Sequence, residues 1–219
     1  MDRSILEKLP FWDSLTGEER DLVARSSTIR EFQRGESIHG ADSACLGLAL
    51  VLEGMVRVSM LSDQGREITL FRLAQGETCV LSASCIITQI TFETEMAAEE
   101  PCSLLVVAPT AVDTLSEQNI YARCFLFEKT TERFSDVMWT MQQLLFNSLD
   151  QRLAAFLLDE SVRTGSRDLR LTHEQIAVQI SSAREAVART LKRFAAEGLI
   201  RTGRGRLGLT DPDGLRAKL

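Results

Sequence analysis

Between Leu171 and Ile200 the chain reads LTHEQIAVQISSAREAVARTLKRFAAEGLI, and its apolar residues fall with a helical period in two short blocks. Ile176, Ala177 and Ile180 make one stripe, Val187, Leu191 and Phe194 a second, and the break lies at Ser181-Ser182. Each block opens with a capping signature, Thr172 with Gln175 and Ser182 with Glu185, so the stretch predicts a helix-turn-helix. From Ile29 to about Val107 the period is two. Val56, Val58 and Met60 share a face of MVRVSML, residues 62–65 form a turn, and EITLFRL (Glu67 to Leu73) returns. Glycines at 35, 40, 47, 54, 65 and 76 punctuate short β segments at intervals of about ten residues, the spacing of a sandwich or barrel. Residues 1–27 read as one or two short helices with Thr16 as an N-cap.

From about Val112 to Asn147 the pattern is helical again. Phe127, Thr130, Phe134, Val137, Met141, Leu144 and Ser148 recur at alternating three and four, a coiled-coil seam. A helix packed on its own β body fits the same pattern, and Met138, Trp139 and Leu145 flank the seam, so contact with both a partner helix and the body is expected. Ser148 or Asp150 caps the next helix, 151–160. Beyond Ile200, Arg201-Thr202 and Leu207 to Thr210 can pair around 203–205 as a terminal wing.

Composition narrows the function classes. Apolar content of 44% and charged content of 26% describe a globular chain of 219 residues, long enough for two modest domains. No stretch has the length of a membrane span, and MDRSILEKLP lacks the apolar run of a signal peptide, so a cytoplasmic protein is expected. The five cysteines lack framework spacing and are expected as reduced thiols. The net charge of −6 hides an asymmetry: residues 148–219 hold 13 Lys/Arg against 9 Asp/Glu, and residues 1–147 hold 12 against 22. A basic third (+4) joined to an acidic front (−10) fits a nucleic-acid-reading module on a separate body.

On the second helix of the pair, Arg184, Glu185, Ala188 and Arg189 share the polar face. An arginine there can give two hydrogen bonds to guanine, a glutamate can accept from cytosine, and the small alanine lets the bases approach. The plainer alternative is a solvated face on which Glu185 caps the helix and pairs with Arg189. Arg201, Arg204 and Arg206 on the wing have the chemistry of phosphate contacts.

Four motifs occur in order: Phe32-x-x-Gly35-Glu36-x-Ile38, Val51-Leu52-Glu53-Gly54-x-Val56-Arg57-Val58, Gly65-Arg66-Glu67 and Leu73-x-x-Gly76-Glu77. They resemble the cyclic-nucleotide-binding β-roll. With the long helix and the helix-turn-helix, nearly the whole chain resembles the CRP/FNR family of bacterial transcription regulators. The resemblance implies an α+β protein: an antiparallel β-roll (double-stranded β-helix) sensor over 1–111, a dimerisation helix over 112–147, and a winged helix-turn-helix over 148–219. It implies Arg184, Glu185 and Arg189 as base-reading residues for palindromic TGTGA-like half-sites on double-stranded DNA. Thr172, Ser182, Arg201, Arg204 and Arg206 then contact phosphates. Phe127, Phe134, Val137, Met141 and Leu144 form a homodimer interface, and the loop Arg163 to Arg170 lies where activators of the family touch RNA polymerase.

The sensor departs from the family. Val80-Leu81 stands where the resemblance expects the Gly-Glu that holds ribose, and Phe92-Glu93 where it expects the Arg-Ser that holds the cyclic phosphate. No cation is left for a phosphate, and Glu93 and Glu95 would repel it, so binding of cAMP by the usual contacts is not expected. Leu81, Ile86, Ile87 and Phe92 suggest an apolar pocket for an unknown small-molecule effector. Cys79 and Cys85 bracket the altered loop, where a thiol switch and plain buried thiols are both open readings. No cysteine lies in residues 1–44, so the iron–sulfur cluster of the oxygen-sensing branch has no ligands there. The alternative within the family is a thiol- or haem-based redox or gas sensor, although neither His39 nor His173 is marked as an axial ligand and Cys79, Cys85 and Cys102 have no metal-site spacing. An enzyme is not expected, since no nucleophile–base pair, metal motif or phosphate loop is present; a scaffold that binds no DNA is opposed by the basic C-terminal third.

Overall fold

The structure, a computed structural model, describes residues 2–40, 45–61, 67–83, 94–203 and 205–219. It forms two compact units, residues 1–64 with 70–137 and residues 65–69 with 138–219. The expected turn at 62–65 and the Gly65-Arg66 part of the third motif lie outside the described residues.

The first unit opens with α1 (Arg3–Leu6) and α2 (Gly17–Arg25). Thr16 caps α2 as its sequence predicts, with a reciprocal bond to Glu19. Among the described residues eight strands follow, in two four-stranded sheets. The first sheet has the order β1 (Ser27–Phe32), β8 (Cys102–Val107), β3 (Leu48–Glu53), β6 (Thr78–Cys79). The second has the order β2 (Ser37–His39), β7 (Glu95–Ala98), β4 (Val56–Leu61), β5 (Glu67–Leu73). On β4 the alternate residues Val56 and Val58 are buried, as their period predicts, while β3 is buried on both faces over residues 48–51. Met60 belongs to the same alternation but is exposed.

Gly54 joins β3 to β4 at φ +82°, and a Cβ there would stand 2.1 Å from the carbonyl oxygen of Pro101. Both the backbone conformation and the lack of space demand glycine. Gly54→Ala should destabilise the sensor unit by about 2–4 kcal/mol, read as a lower urea midpoint.

Two helices close the roll, α3 (Pro109–Gln118) and α4 (Ile120–Phe146). The single helical run expected from Val112 to Asn147 is therefore broken at Asn119, whose side-chain oxygen accepts from the N–H groups of Tyr121 and Ala122 and starts α4 afresh. The same amide donates to the Ser14 carbonyl and to Glu19, tying α4 to the N-terminal helices.

The second unit is a small helical core with an edge sheet. α5 (Leu149–Thr164), α6 (His173–Gln179), α7 (Arg184–Ala196) and α8 (Pro212–Arg216) pack Leu153, Leu157, Ile176, Leu191, Phe194 and Leu215 together. β9 (Asp168–Leu169), β10 (Ile200–Gly203) and β11 (Arg206–Leu209) pair antiparallel in the order β10-β11-β9. Ser148 caps α5 through a reciprocal bond with Gln151. No helix among the described residues is long and apolar enough to cross a membrane.

Candidate nucleic-acid interface

α6 and α7 form the expected helix-turn-helix. Thr172 closes its capping box, accepting from the Gln175 N–H at 3.2 Å while its own N–H donates to Gln175 Oε1 at 2.8 Å. The second expected box does not form. The N-cap of α7 is Ala183, without a side-chain hydrogen bond, so Ser182 sits one residue too early and Glu185 one residue short of the position that reaches back. The turn explains the shift. Ser181 takes φ 51°, and the Ser182 N–H donates to the Ala177 carbonyl at 2.9 Å, so both serines serve the end of α6 rather than the start of α7. Arg152, in the first turn of α5, donates to the Ile180 carbonyl at 2.7 Å, and Asp150 pairs with Arg193 of α7. The start of α5 thus holds both the turn and the second helix.

α7 divides cleanly. Val187, Thr190, Leu191 and Phe194 are buried, and Arg184, Glu185 and Arg189 are exposed, with Ala188 half-buried among them. Arg184 Nε stands 4.0 Å from Glu174 Oε2, a contact between two well-exposed side chains. The wing packs against α7 through β10. Arg206 is exposed, Arg204 lies outside the described residues, and Arg201 donates to Asp168 at 2.7 Å. That hydrogen bond, and the carboxylate's charge, push the Arg201 guanidinium still higher, so it stays a cation. The expected polar loop at 163–170 contains β9, whose Leu169 is buried in the core. Local polarity concealed the strand because its partner, β11, comes some forty residues later.

The seam of α4 is split by burial. Phe127, Phe134 and Met141 are exposed, and Val137 and Leu144 are half-buried. Trp139, Leu145 and Phe146 are also exposed, so the C-terminal half of this helix is bare on more than one side. One turn before Val137, on the flank of the seam, Arg133 is buried, with 7% of its side chain exposed. It bonds Asp136 at 2.8 Å and Glu77 at 3.2 Å and lies over the Phe71 ring. Its Nε has no hydrogen-bond partner among the described residues. No cation was expected where a cyclic phosphate would bind; this one comes from a helix, and it is already held by two carboxylates.

Around the altered loop, Val80 and Leu81 are buried, Leu81 in a short 3-10 turn, while Cys85 and Phe92 lie outside the described residues. Cys79 is fully buried, and burial pushes its thiol up, away from the reactive thiolate. Cys102 is likewise a buried free thiol, and Cys124 an exposed one. The expectation of five reduced thiols fails at Cys45, which is disulfide-bonded and whose sulfur lies 3.4 Å from the Ser82 carbonyl. Spacing could not show this, because the loop that carries Ser82 meets Cys45 only in the fold. Among the described residues no group of three His, Cys, Asp or Glu could hold a metal ion.

Comparison with known proteins gives matches over both units. Residues 29–119 match the cyclic nucleotide-binding domain, and residues 151–218 the Crp-like helix-turn-helix domain. A solved structure from Eubacterium rectale, described as a transcriptional regulator of the crp/fnr family, superposes with a TM-score of 0.93 at 36% identity, covering 97% of this chain and 98% of that one. The transcriptional regulator SdrP of Thermus thermophilus is 27% identical over 76% of this chain and 80% of its own length. The cyclic AMP receptor protein of the same organism is 27% identical over 90% of each chain.

Proposed function

The chain belongs to the CRP/FNR family of DNA-binding transcription regulators, and from that premise we propose that it acts as a homodimer whose two α7 helices read inverted TGTGA-like half-sites. The carrying observation is the exposed Arg184-Glu185-Arg189 face of α7. Arg184 and Arg189 donate to guanine edges and Glu185 accepts from cytosine. Thr172, Ser182 and the wing arginines set the register on the phosphates. Thr172 is exposed at the α6 cap, which suits that role; Ser182 is half-buried and offers less. Two copies pair through the α4 face made by Phe127, Phe134, Val137, Met141 and Leu144, placing the recognition helices in successive major grooves. RNA polymerase is the further partner, met through the segment from Arg163 to Arg170.

The signal read by the roll is not cAMP held by the usual contacts. Supporting this, Val80 and Leu81 are buried apolar side chains where ribose-binding groups would be needed, and Arg133 is engaged by Glu77 and Asp136. The first reading is a small apolar effector. The Cys45 disulfide favours a second, a thiol-based redox signal centred on Cys45 rather than on the deeply buried Cys79.

A gel shift on a duplex with inverted TGTGA half-sites, against a scrambled duplex, tests both. Specific retardation is expected. If dithiothreitol changes the affinity of the wild type but not of Cys45→Ser, the redox reading holds; equal affinity in both states leaves the apolar effector. No preference for the TGTGA duplex under any condition would overturn the half-site assignment.

A further inference from the structure

Three residues stand in one row across the small sheet of the second unit: Arg201 pairs with Gly208 on β10–β11, and Gly208 with Asp168 on β11–β9. The middle residue has no side chain. Arg201 therefore lies across it, and its guanidinium donates to Asp168 Oδ1 at 2.7 Å. A Cβ at position 208 would stand 2.3 Å from Arg201 Nε and 3.0 Å from Asp168 Oδ1, so glycine opens the crossing. Both partners are well exposed, 74% and 68%, and a pair so solvated adds little to stability. Glu174 stands near Arg184 in a looser version of the same arrangement, again between exposed groups.

A carboxylate lying against a surface cation is costly for a protein that binds a polyanion. Affinity for DNA comes largely from cations that replace condensed counterions on the phosphates, and a cation already neutralised within the protein brings none of that gain. The carboxylate also repels the backbone it meets.

We propose that Asp168 is an intramolecular competitor for DNA phosphate, occupying Arg201 in the free protein and yielding it only when a duplex displaces the carboxylate. The device rests on the reading of the wing as a phosphate-contacting element. It lowers affinity for any sequence alike, because it acts on the backbone term and not on base edges. The regulator is thereby kept off random DNA, and its occupancy depends more heavily on the base contacts made by α7.

The test is Asp168→Asn, which keeps the shape and removes the charge, beside Arg201→Ala and the double variant, on both the TGTGA and the scrambled duplex across a salt series. Asp168→Asn should bind both duplexes about three- to tenfold more tightly at low salt, and the slope of log affinity against log salt should steepen by about one. The ratio of specific to scrambled affinity should stay constant, and adding Arg201→Ala should erase the gain. If Asp168→Asn binds no more tightly while Arg201→Ala weakens binding, Asp168 orients the arginine rather than competing for it; the proposal falls and the wing reading stands. If neither substitution changes affinity or salt slope, the wing does not touch DNA and both fail.

Discussion

A Phe134→Glu chain will sediment as a monomer and bind a duplex of two inverted half-sites on the order of 10²–10⁴-fold more weakly than the wild type. Phe134 is 64% exposed on α4, so the substitution costs the isolated chain little. In a paired coil the same position faces its copy, and a carboxylate there is desolvated next to another of the same sign. Losing the partner converts one bivalent binding event into two separate weak ones, which is where the large factor arises. A duplex carrying one half-site provides the control, because both proteins should bind it alike. A variant that remains dimeric, or that keeps its two-site affinity as a monomer, would remove α4 from the interface.

The second large effect is expected from Arg184→Ala. Losing a two-bond contact to guanine costs about 1–3 kcal/mol per half-site, so a symmetric dimer loses about 2–6 kcal/mol on the full site. The loss should concentrate at one base pair per half: replacing that pair in the duplex should cost the wild type heavily and the variant almost nothing. Stability should move the other way. Arg184 is the first residue of α7, and a cation at a helix N-terminus opposes the macrodipole, so its removal should leave the fold unchanged or stabilise it by about 0.3–1 kcal/mol. Calorimetry alongside the binding assay would show the opposed signs. A uniform loss on every sequence would make Arg184 a phosphate contact instead.

Local pattern carried far in this chain because most of its elements announce themselves within a few residues. The boxes at Thr16 and Thr172 are completed by groups three positions away, and the stripes of α6 and α7 bury the residues that their period marks. The β-roll was legible from glycine spacing and from motif order together. What escaped notice depends on contacts across the fold. Ser182 carries the right letters for a cap, yet the turn consumed it, since one serine had to take a positive φ and the next had to bond back to α6. Arg133 sits in a helical pattern dominated by aromatic residues, and nothing within its own turn reveals Glu77 or Phe71, more than fifty positions earlier. Arg201 reads as a free wing cation until β9 brings Asp168 beside it.

Asn119 has a consequence for where the sensor can be cut. A fragment begun at β1 would keep every strand of the roll and still lose Ser14 and Glu19, the two acceptors of the Asn119 amide. It would also uncover Leu115 and Phe125, which the N-terminal helices cover together with Trp12 and Leu15. Such a fragment would present a greasy, polar-starved seat at the root of α4 and would tend to self-associate through the wrong surface. The first twenty-six residues are therefore part of the folded sensor unit, and shortened versions of the sensor should retain them.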